Sequence, residues 1–275
     1  MPVALVAGFA GALNTAGSAG AQDPINYVAL GDSLAAGPLI PDQEALYPCF
    51  RSDQNYPHLL AKTLNASTFR DVTCSSATTD NILSTPQNGV PIQIDAVTAD
   101  TGLVTITIGA NDAKLTSVAI GCLNPLPAPS GTSCKARNSA SGTDSGTAAI
   151  DAVGPKIAAV IAAVHDRAPH ARIVLTSYGN YIQPGGCYPI APYWPEDADY
   201  LQGLMDHLGA MTATIASESG ADYVDFIGPG AGHDGCNPPS NWTVAIVPAG
   251  SGVVPLHPTR LGEVNFARLI AEALG

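Results

Sequence analysis

The chain has 275 residues, a formal net charge of -12, a 46% hydrophobic fraction and only 12% charged residues. That length and apolar content suit one sizeable α/β core rather than a disordered or fibrous chain, and neither Gly-X-Y triplets, sustained heptads nor internal repeats occur. The acidic balance excludes non-specific nucleic-acid binding, which needs a basic footprint, and electrostatic anchoring on anionic membranes.

Residues 1–21 carry no charged side chain; an apolar run over 3–13 is followed by small residues ending in Ala19-Gly20-Ala21. Ala-x-Ala before Gln22 reads as a signal-peptidase site, so 1–21 is expected to be a signal peptide and 22–275 a single domain of a secreted protein. The apolar run is too short to span a bilayer, and no other segment is expected to reach the ~20 residues a span requires. Further along, five runs rich in Val, Ile, Tyr and Phe predict strands over 25–30, 69–74, 103–108, 172–177 and 222–227. Helical spacing predicts helices over 56–64, 143–168, 197–219 and 258–274, with Pro258 in the first turn of the last. Strands alternating with helices imply a parallel sheet covered on both faces, a three-layer α/β/α sandwich. Ligands in such sheets sit beyond the carboxyl ends of the strands.

Three long Pro/Gly/Ser-rich loops, at about 117–142, 179–196 and 228–257, interrupt the pattern, and each carries cysteine. They read as disulfide-tied insertions around a cleft. The six cysteines are Cys49, Cys74, Cys122, Cys134, Cys187 and Cys236; none forms Cys-x-x-Cys. An even count in an exported chain points to three disulfides but leaves the pairing open, Cys122 with Cys134 being the easiest pair because they share one loop.

Four segments could do chemistry. Gly31-Asp32-Ser33-Leu34 follows the first predicted strand, Cys74-Ser75-Ser76-Ala77-Thr78 the second and Gly109-Ala110-Asn111-Asp112 the third, while Leu256-His257-Pro258 lies late in the chain. A hydroxyl, a tight backbone turn, a carboxamide and an imidazole at one sheet edge are the parts of acyl transfer: nucleophile, oxyanion donors and general base.

These segments resemble the SGNH hydrolases, also called the GDSL esterase/lipase family. Residues 27–33 look like its first block, Gly109-Ala110-Asn111-Asp112 its third, and His257-Pro258 its histidine block. The cysteines and Ser52-Asp53-Gln54-Asn55-Tyr56-Pro57 look most like the actinobacterial secreted lipases and phospholipases of that family. The resemblance spans about 25–275 and implies a flavodoxin-like fold with a five-stranded parallel sheet. It implies Ser33 as nucleophile, His257 as general base and an oxyanion hole from the Ser33 N–H, the Ser76 N–H and the Asn111 carboxamide. Asp32 is expected to fix its loop as a hydrogen-bond acceptor. With the loop placement, the resemblance implies the pairs Cys49–Cys74, Cys122–Cys134 and Cys187–Cys236.

Two positions depart from the family pattern. Ser76 stands where the family has glycine, and carries a conformational penalty if its φ is positive. The family's acid, three residues before the histidine, is here Val254, and no Asp or Glu lies between Asp234 and His257. Some members use a main-chain carbonyl instead, which makes the Val254 carbonyl the candidate.

Other signals are weaker. Gly230-Ala231-Gly232-His233-Asp234-Gly235 fits a dinucleotide motif, but Cys236-Asn237-Pro238-Pro239 follows, so no helix N-terminus can hold a pyrophosphate. His233 and Asp234 are expected to fix the loop of Cys236, and His58, His165, His170 and His207 to be surface or capping residues. No cluster has metal-ligand spacing. The leading expectation is a secreted, cofactor-independent, monomeric esterase or lipase with no nucleic-acid partner and no stable membrane anchor. Its apolar cleft would be offered by Leu39, Ile40, Leu115, Tyr178, Tyr181, Tyr193 and Trp194, favouring lipid or aryl esters. The alternatives are a carbohydrate O-acetyl esterase on the same fold and a surface-binding protein without turnover.

Overall fold

The β-rich runs assemble because each presents β-branched and aromatic side chains to helices on both sides. The computed structural model describes residues 25–247 and 254–275, together with Met1, Gly250 and Gly252. The expected signal peptide, 1–21, lies outside the described residues apart from Met1. The strands are β1 (Asn26–Gly31), β2 (Gln43–Ala45), β3 (Arg51–Ser52), β4 (Thr68–Asp71), β5 (Leu103–Thr107), β6 (Arg172–Thr176) and β7 (Asp222–Val224). The helices are α1 (Ser33–Ala36), α2 (Tyr56–Thr63), α3 (Thr79–Leu83), α4 (Leu115–Gly121), α5 (Cys134–Asn138), α6 (Ser145–Asp151), α7 (Gly154–Arg167), α8 (Pro195–Glu218) and α9 (Arg260–Leu274).

Five strands form one parallel sheet in the order β4-β1-β5-β6-β7. β2 and β3 form a small antiparallel pair that the sequence reading did not foresee. The chain moves one way from β1 to β4 and the other way from β5 through β6 to β7. Right-handed crossovers then place α2 on one face and α7 and α8 on the other. α9 packs on α2, and α8 packs on α6 and α7. The order reverses between β1 and β5, which makes their carboxyl ends the switch point where a crevice opens. Gly31 pairs with Thr107 there, and a Cβ on Gly31 would stand 2.7 Å from the Thr107 carbonyl oxygen. Its φ of 154° also lies outside the range that L residues favour.

The core is apolar on both sheet faces, with every residue of β5 buried. Phe226 and Phe266 stack with centroids 4.2 Å apart, joining the segment after β7 to α9. Beneath the crevice runs a buried hydroxyl chain, in which the Tyr56 hydroxyl lies 2.8 Å from Thr107 Oγ1 and that atom 2.6 Å from Thr176 Oγ1.

Several boundaries differ from expectation for identifiable reasons. The helix expected over 143–168 is two, α6 and α7, because Pro155 lacks the N–H that would reach the Asp151 carbonyl. The combined stretch Ser145–Arg167 does reach the length and hydropathy of a membrane span, 23 residues at 1.6. Its apolar face, however, packs into the protein through Ile150, Ile157, Val160, Ile161 and Val164. The last helix starts at Arg260, capped by Thr259, whose hydroxyl accepts from the Gly262 N–H at 3.0 Å. Pro258 lies before it, bridged to Thr243. β7 stops early because the Asp225 carboxylate accepts from the N–H groups of Ile227 and Gly228, closing a turn. The loop read over 117–142 contains the end of α4 and all of α5.

The disulfides are Cys49–Cys74, Cys122–Cys134 and Cys187–Cys236, the pairs implied by the resemblance. The first ties the β2–β3 region to the end of β4. The second closes the segment between α4 and α5. The third joins the two long loops after β6 and β7. Hydrogen bonds from Tyr188 to the Pro125 carbonyl (2.8 Å) and from Trp194 to the Leu126 carbonyl (2.9 Å) knit the insertions together.

Candidate active site

At the carboxyl end of β1 the chain turns straight into α1. Asp32 caps that turn, its carboxylate accepting from the Leu34 N–H at 3.0 Å, and Ser33 is the first helical residue, half-buried. Asp32 thus fixes its loop, as the sequence suggested. It is buried, and that burial pushes its carboxyl up to about 7 against the opposing hydrogen bonds from Tyr178 and Leu34. The neighbouring strand end, after β5, carries Ala110, Asn111 and Asp112. Asn111 Nδ2 donates to the Ala77 carbonyl at 3.0 Å. The Asp112 carboxylate accepts from the Thr79 N–H at 3.0 Å and the Thr79 hydroxyl at 2.6 Å, with Lys156 Nζ 3.6 Å away. The loops after β4 and β5 are therefore bound to each other by side chains.

Ser76 has a φ of 67°, the conformation in which serine is penalised. The backbone N–H groups of Ser33 and Ser76 meet no backbone acceptor among the described residues, so both are available as donors. Ser76 itself is exposed and is not among the residues lining the cleft that Ser33 and Asn111 share.

His257 comes from the other side, on the loop before α9. That loop is held by backbone pairing: the Val244 N–H donates to the His257 carbonyl at 2.9 Å, and the Leu256 N–H to the Ala245 carbonyl at 2.8 Å. The imidazole Nδ1 lies 2.7 Å from the Pro255 carbonyl oxygen. The acceptor is thus one residue beyond the expected Val254. Leu256 explains the shift: its φ of 60° folds the chain back so that the carbonyl two residues before the histidine faces the ring. Burial lowers the His257 pKa, and the Pro255 carbonyl opposes that only in part. A proton on Nδ1, donated to this carbonyl, leaves Nε2 as an acceptor.

Ser33, Asn111 and His257 line one cleft, walled by Leu34, Leu115, Ala119, Ile182, Leu201, Leu204, Met205 and Leu256, with Tyr178 and Tyr181 at its base. Of the aromatic and aliphatic residues expected to form it, Leu115, Tyr178 and Tyr181 do. Ile40 and Tyr193 are core residues instead, Leu39 is exposed, and Trp194 braces the insertion. The part of the wall supplied by α8 was missed because helical spacing reports one buried face, not which part of it borders a cavity, and Ala119 of α4 was missed because its segment read as a loop.

The hydrogen bonds of His233 and Asp234 match the role assigned to them. Asp234 accepts from the Cys236 N–H at 2.9 Å, and His233 Nδ1 lies 2.8 Å from the Ser240 carbonyl while the ring stacks on Trp242. Among the described residues, one group could offer metal ligands, Glu44, His58 and Asp71, which spacing along the chain did not reveal. Arg51 already supplies a cation there, its Nε 2.8 Å from Glu44 and 4.0 Å from Asp71.

A parallel sheet with a polar crevice at its switch point, opening on an apolar wall, defines in its general layout an α/β protein with a small-molecule site at its strand ends. Comparison with known proteins makes this specific. The GDSL-like Lipase/Acylhydrolase family matches residues 29–263. Lipase 2 of Streptomyces coelicolor is 36% identical over 280 residues, covering 98% of this chain and 93% of its own. Lipase 1 of the same organism is 30% identical over 268 residues, covering 94% and 91%. The crystal structure of an extracellular lipase from Streptomyces rimosus superposes with a TM-score of 0.76 at 26% identity, covering 90% of this chain and 99% of that one. A phospholipase A1 from Streptomyces albidoflavus shares the fold, at 24% identity and a TM-score of 0.74. The chain belongs to the GDSL-like lipase/acylhydrolase family, and it is a carboxylic-ester hydrolase.

Proposed function

We propose that the chain is a secreted lipase or esterase that works through an acyl-enzyme on Ser33. The observation that carries this reading is the imidazole of His257, which shares the cleft of Ser33 with Nδ1 committed to the Pro255 carbonyl. His257 Nε2 takes the Ser33 proton as Oγ attacks the ester carbonyl. The resulting oxyanion is held by the Ser33 N–H and the Asn111 carboxamide, with the Ser76 N–H as third donor. His257 then protonates the leaving alcohol, and water, activated by the same imidazole, releases the acid. The acid of a triad is replaced by a peptide dipole, which orients the ring and fixes its tautomer.

The aliphatic wall between α4 and α8 suits an acyl chain of several carbons better than an acetyl group, which favours lipid or aryl esters over sugar acetates. The relatives named lipases support the same substrate class. Three disulfides and the apolar segment at 1–21 support export, with 22–275 as one domain acting as a monomer. Labelling with a fluorophosphonate, followed by peptide mass mapping, is expected to place the adduct on Ser33. An adduct elsewhere, or full esterase activity in an unlabelled Ser33→Ala protein, overturns the reading.

A further inference from the structure

The sequence offered Tyr178 only as part of an apolar wall, and the structure gives its hydroxyl a specific place. Tyr178 lies two residues beyond the end of β6, and its ring reaches over the end of β5 toward β1. The phenol donates to the Asp32 carboxylate in a very short hydrogen bond. The same phenolic oxygen accepts from the Ala110 N–H at 3.0 Å. Asp32 immediately precedes Ser33, and Ala110 immediately precedes Asn111. All of these groups lie within or beside the cleft, and the Tyr178 side chain is buried.

We propose that Tyr178 is a positioning residue of this hydrolase: its phenol bridges the loop of the nucleophile and the loop of the carboxamide donor, and so sets the spacing of the oxyanion hole. The proposal rests on the roles given above to Ser33 and Asn111.

The geometry supports the bridge in three ways. First, the loop after β5 is fixed on its far side by Asn111 to Ala77 and by Asp112 to Thr79, which ties it to the loop after β4. Those contacts do not involve the segment carrying Ser33; the phenol does. Second, the bridge is polar at both ends, buried at its Asp32 end and half-buried at its Ala110 end, and away from water hydrogen bonds in series strengthen one another. Third, the proton stays with the tyrosine. Burial and the neighbouring Asp32 charge push the phenol well above its usual range, so it remains a donor to the carboxylate. Phenylalanine would fill the same space but leave a buried carboxylate and a half-buried N–H each short of a partner. The Ala110 N–H would then be free to rotate away, carrying Asn111 with it.

A double-mutant cycle tests this in the full chain, with folding followed by thermal melting and Ser33 labelling in the parent as the control on the catalytic reading. Removing an oxyanion donor outright costs about 10²–10³ in kcat, so Asn111→Ala is expected to fall in that range and Tyr178→Phe, which displaces the donor without deleting it, by roughly 10–100-fold. KM should change less than about threefold, because the ground-state ester does not use the hole. In the Asn111→Ala background, Tyr178→Phe should cost no more than about threefold further, since the group it positions is gone. A Tyr178→Phe kcat within about twofold of the parent, or a full multiplicative loss in the double mutant, overturns the proposal while leaving Ser33 labelling intact. If Tyr178→Phe does not fold, Asp32→Ala removes the acceptor at the other end of the bridge, and the same cycle with Asn111→Ala applies.

Discussion

The two sides of the cleft are built on different principles. On one side, Ser33 and Asn111 ride on adjacent strand ends; Tyr178 links the two loops through Asp32 and the Ala110 N–H, while Asn111 with Ala77 and Asp112 with Thr79 tie the second of them to the loop after β4. On the other, His257 sits on a long loop whose order comes from backbone pairing with residues 244–245 and from one carbonyl contact. The sheet places Ser33 and Asn111, the proposed electrophile-binding half, side by side through its strand order. His257, the proposed proton-transfer half, is attached to it through α9 and the Cys187–Cys236 insertion. The base proposed here, held by a peptide dipole, needs no charged partner, and among the described residues the nearest candidates in sequence are engaged elsewhere. Asp225 accepts from Ile227 and Gly228, Asp234 from Cys236 and Asn237, and the buried Glu263 from the Tyr56 N–H at 2.7 Å.

The harshest test of this division removes one reacting group from each side. Ser33→Ala and His257→Ala are each expected to lower kcat by ~10³-fold or more with the melting temperature preserved, and the double mutant should be little worse than either, because the two act as a unit. Losses that multiply would mean that the two sides work independently, and the proposed proton transfer between them would fall.

A second test concerns the base side alone. Neutralising the carboxylate of a triad costs about 10⁴ in kcat, whereas Asp225→Asn, Asp234→Asn and Glu263→Gln should each stay within about tenfold of the parent. A thousandfold drop in any one, in protein that still melts cooperatively, would identify a hidden acid and refute the dyad.

The contrast between the two sides also explains what the sequence could reveal. Strand runs such as Leu103–Thr107 are legible because β-branched residues buried on both faces leave a continuous apolar signature. Ser33 and Asn111 are legible because a strand end fixes where the next residues lie. Tyr178 as a polar bridge is not, since that needs the strand order, which places β6 beside β5 and β5 beside β1. The carbonyl that faces His257 Nδ1 lies one residue beyond the expected Val254 because Leu256 turns with positive φ, which spacing along the sequence does not report. The disulfide partners came from resemblance and loop placement; spacing alone left the pairing open, with Cys122 and Cys134 the easiest pair.

The pH profile sharpens the comparison further. Burial lowers the His257 pKa below its ordinary 6.5, the opposite of what a carboxylate partner would do. The base must be neutral, so kcat/KM should rise with pH along an acid limb whose midpoint lies below 6.5. Asp32, pushed up to about 7, titrates nearby, so the limb should be recorded in Asp32→Asn as well; it persists there if it belongs to His257. Stability follows the same linkage. The unfolded chain takes up the histidine proton first, so the His257 contribution is present above 6.5 and is lost as pH falls from there through the folded value. A midpoint above 7 in both proteins would argue for a charged partner.

The smallest effect is expected at Ser76, where the electrophile-binding side carries its own strain. Serine at a φ of 67° costs about 1–2 kcal/mol relative to glycine, because its Cβ crowds the following carbonyl. Glycine relieves that strain but returns ~0.4–1 kcal/mol of freedom to the unfolded chain. Ser76→Gly should therefore stabilise the protein by up to about 1 kcal/mol, raising the melting temperature by roughly 2–4 °C at most. Activity should hold within about twofold, since the backbone N–H that serves the oxyanion is unchanged and only a hydroxyl is lost. Calorimetry and kcat on one ester, measured on the same preparation, decide the matter. A tenfold fall in kcat with unchanged stability would show that the Ser76 side chain itself reaches the substrate, and the third donor would have to be reassigned from its backbone to its hydroxyl.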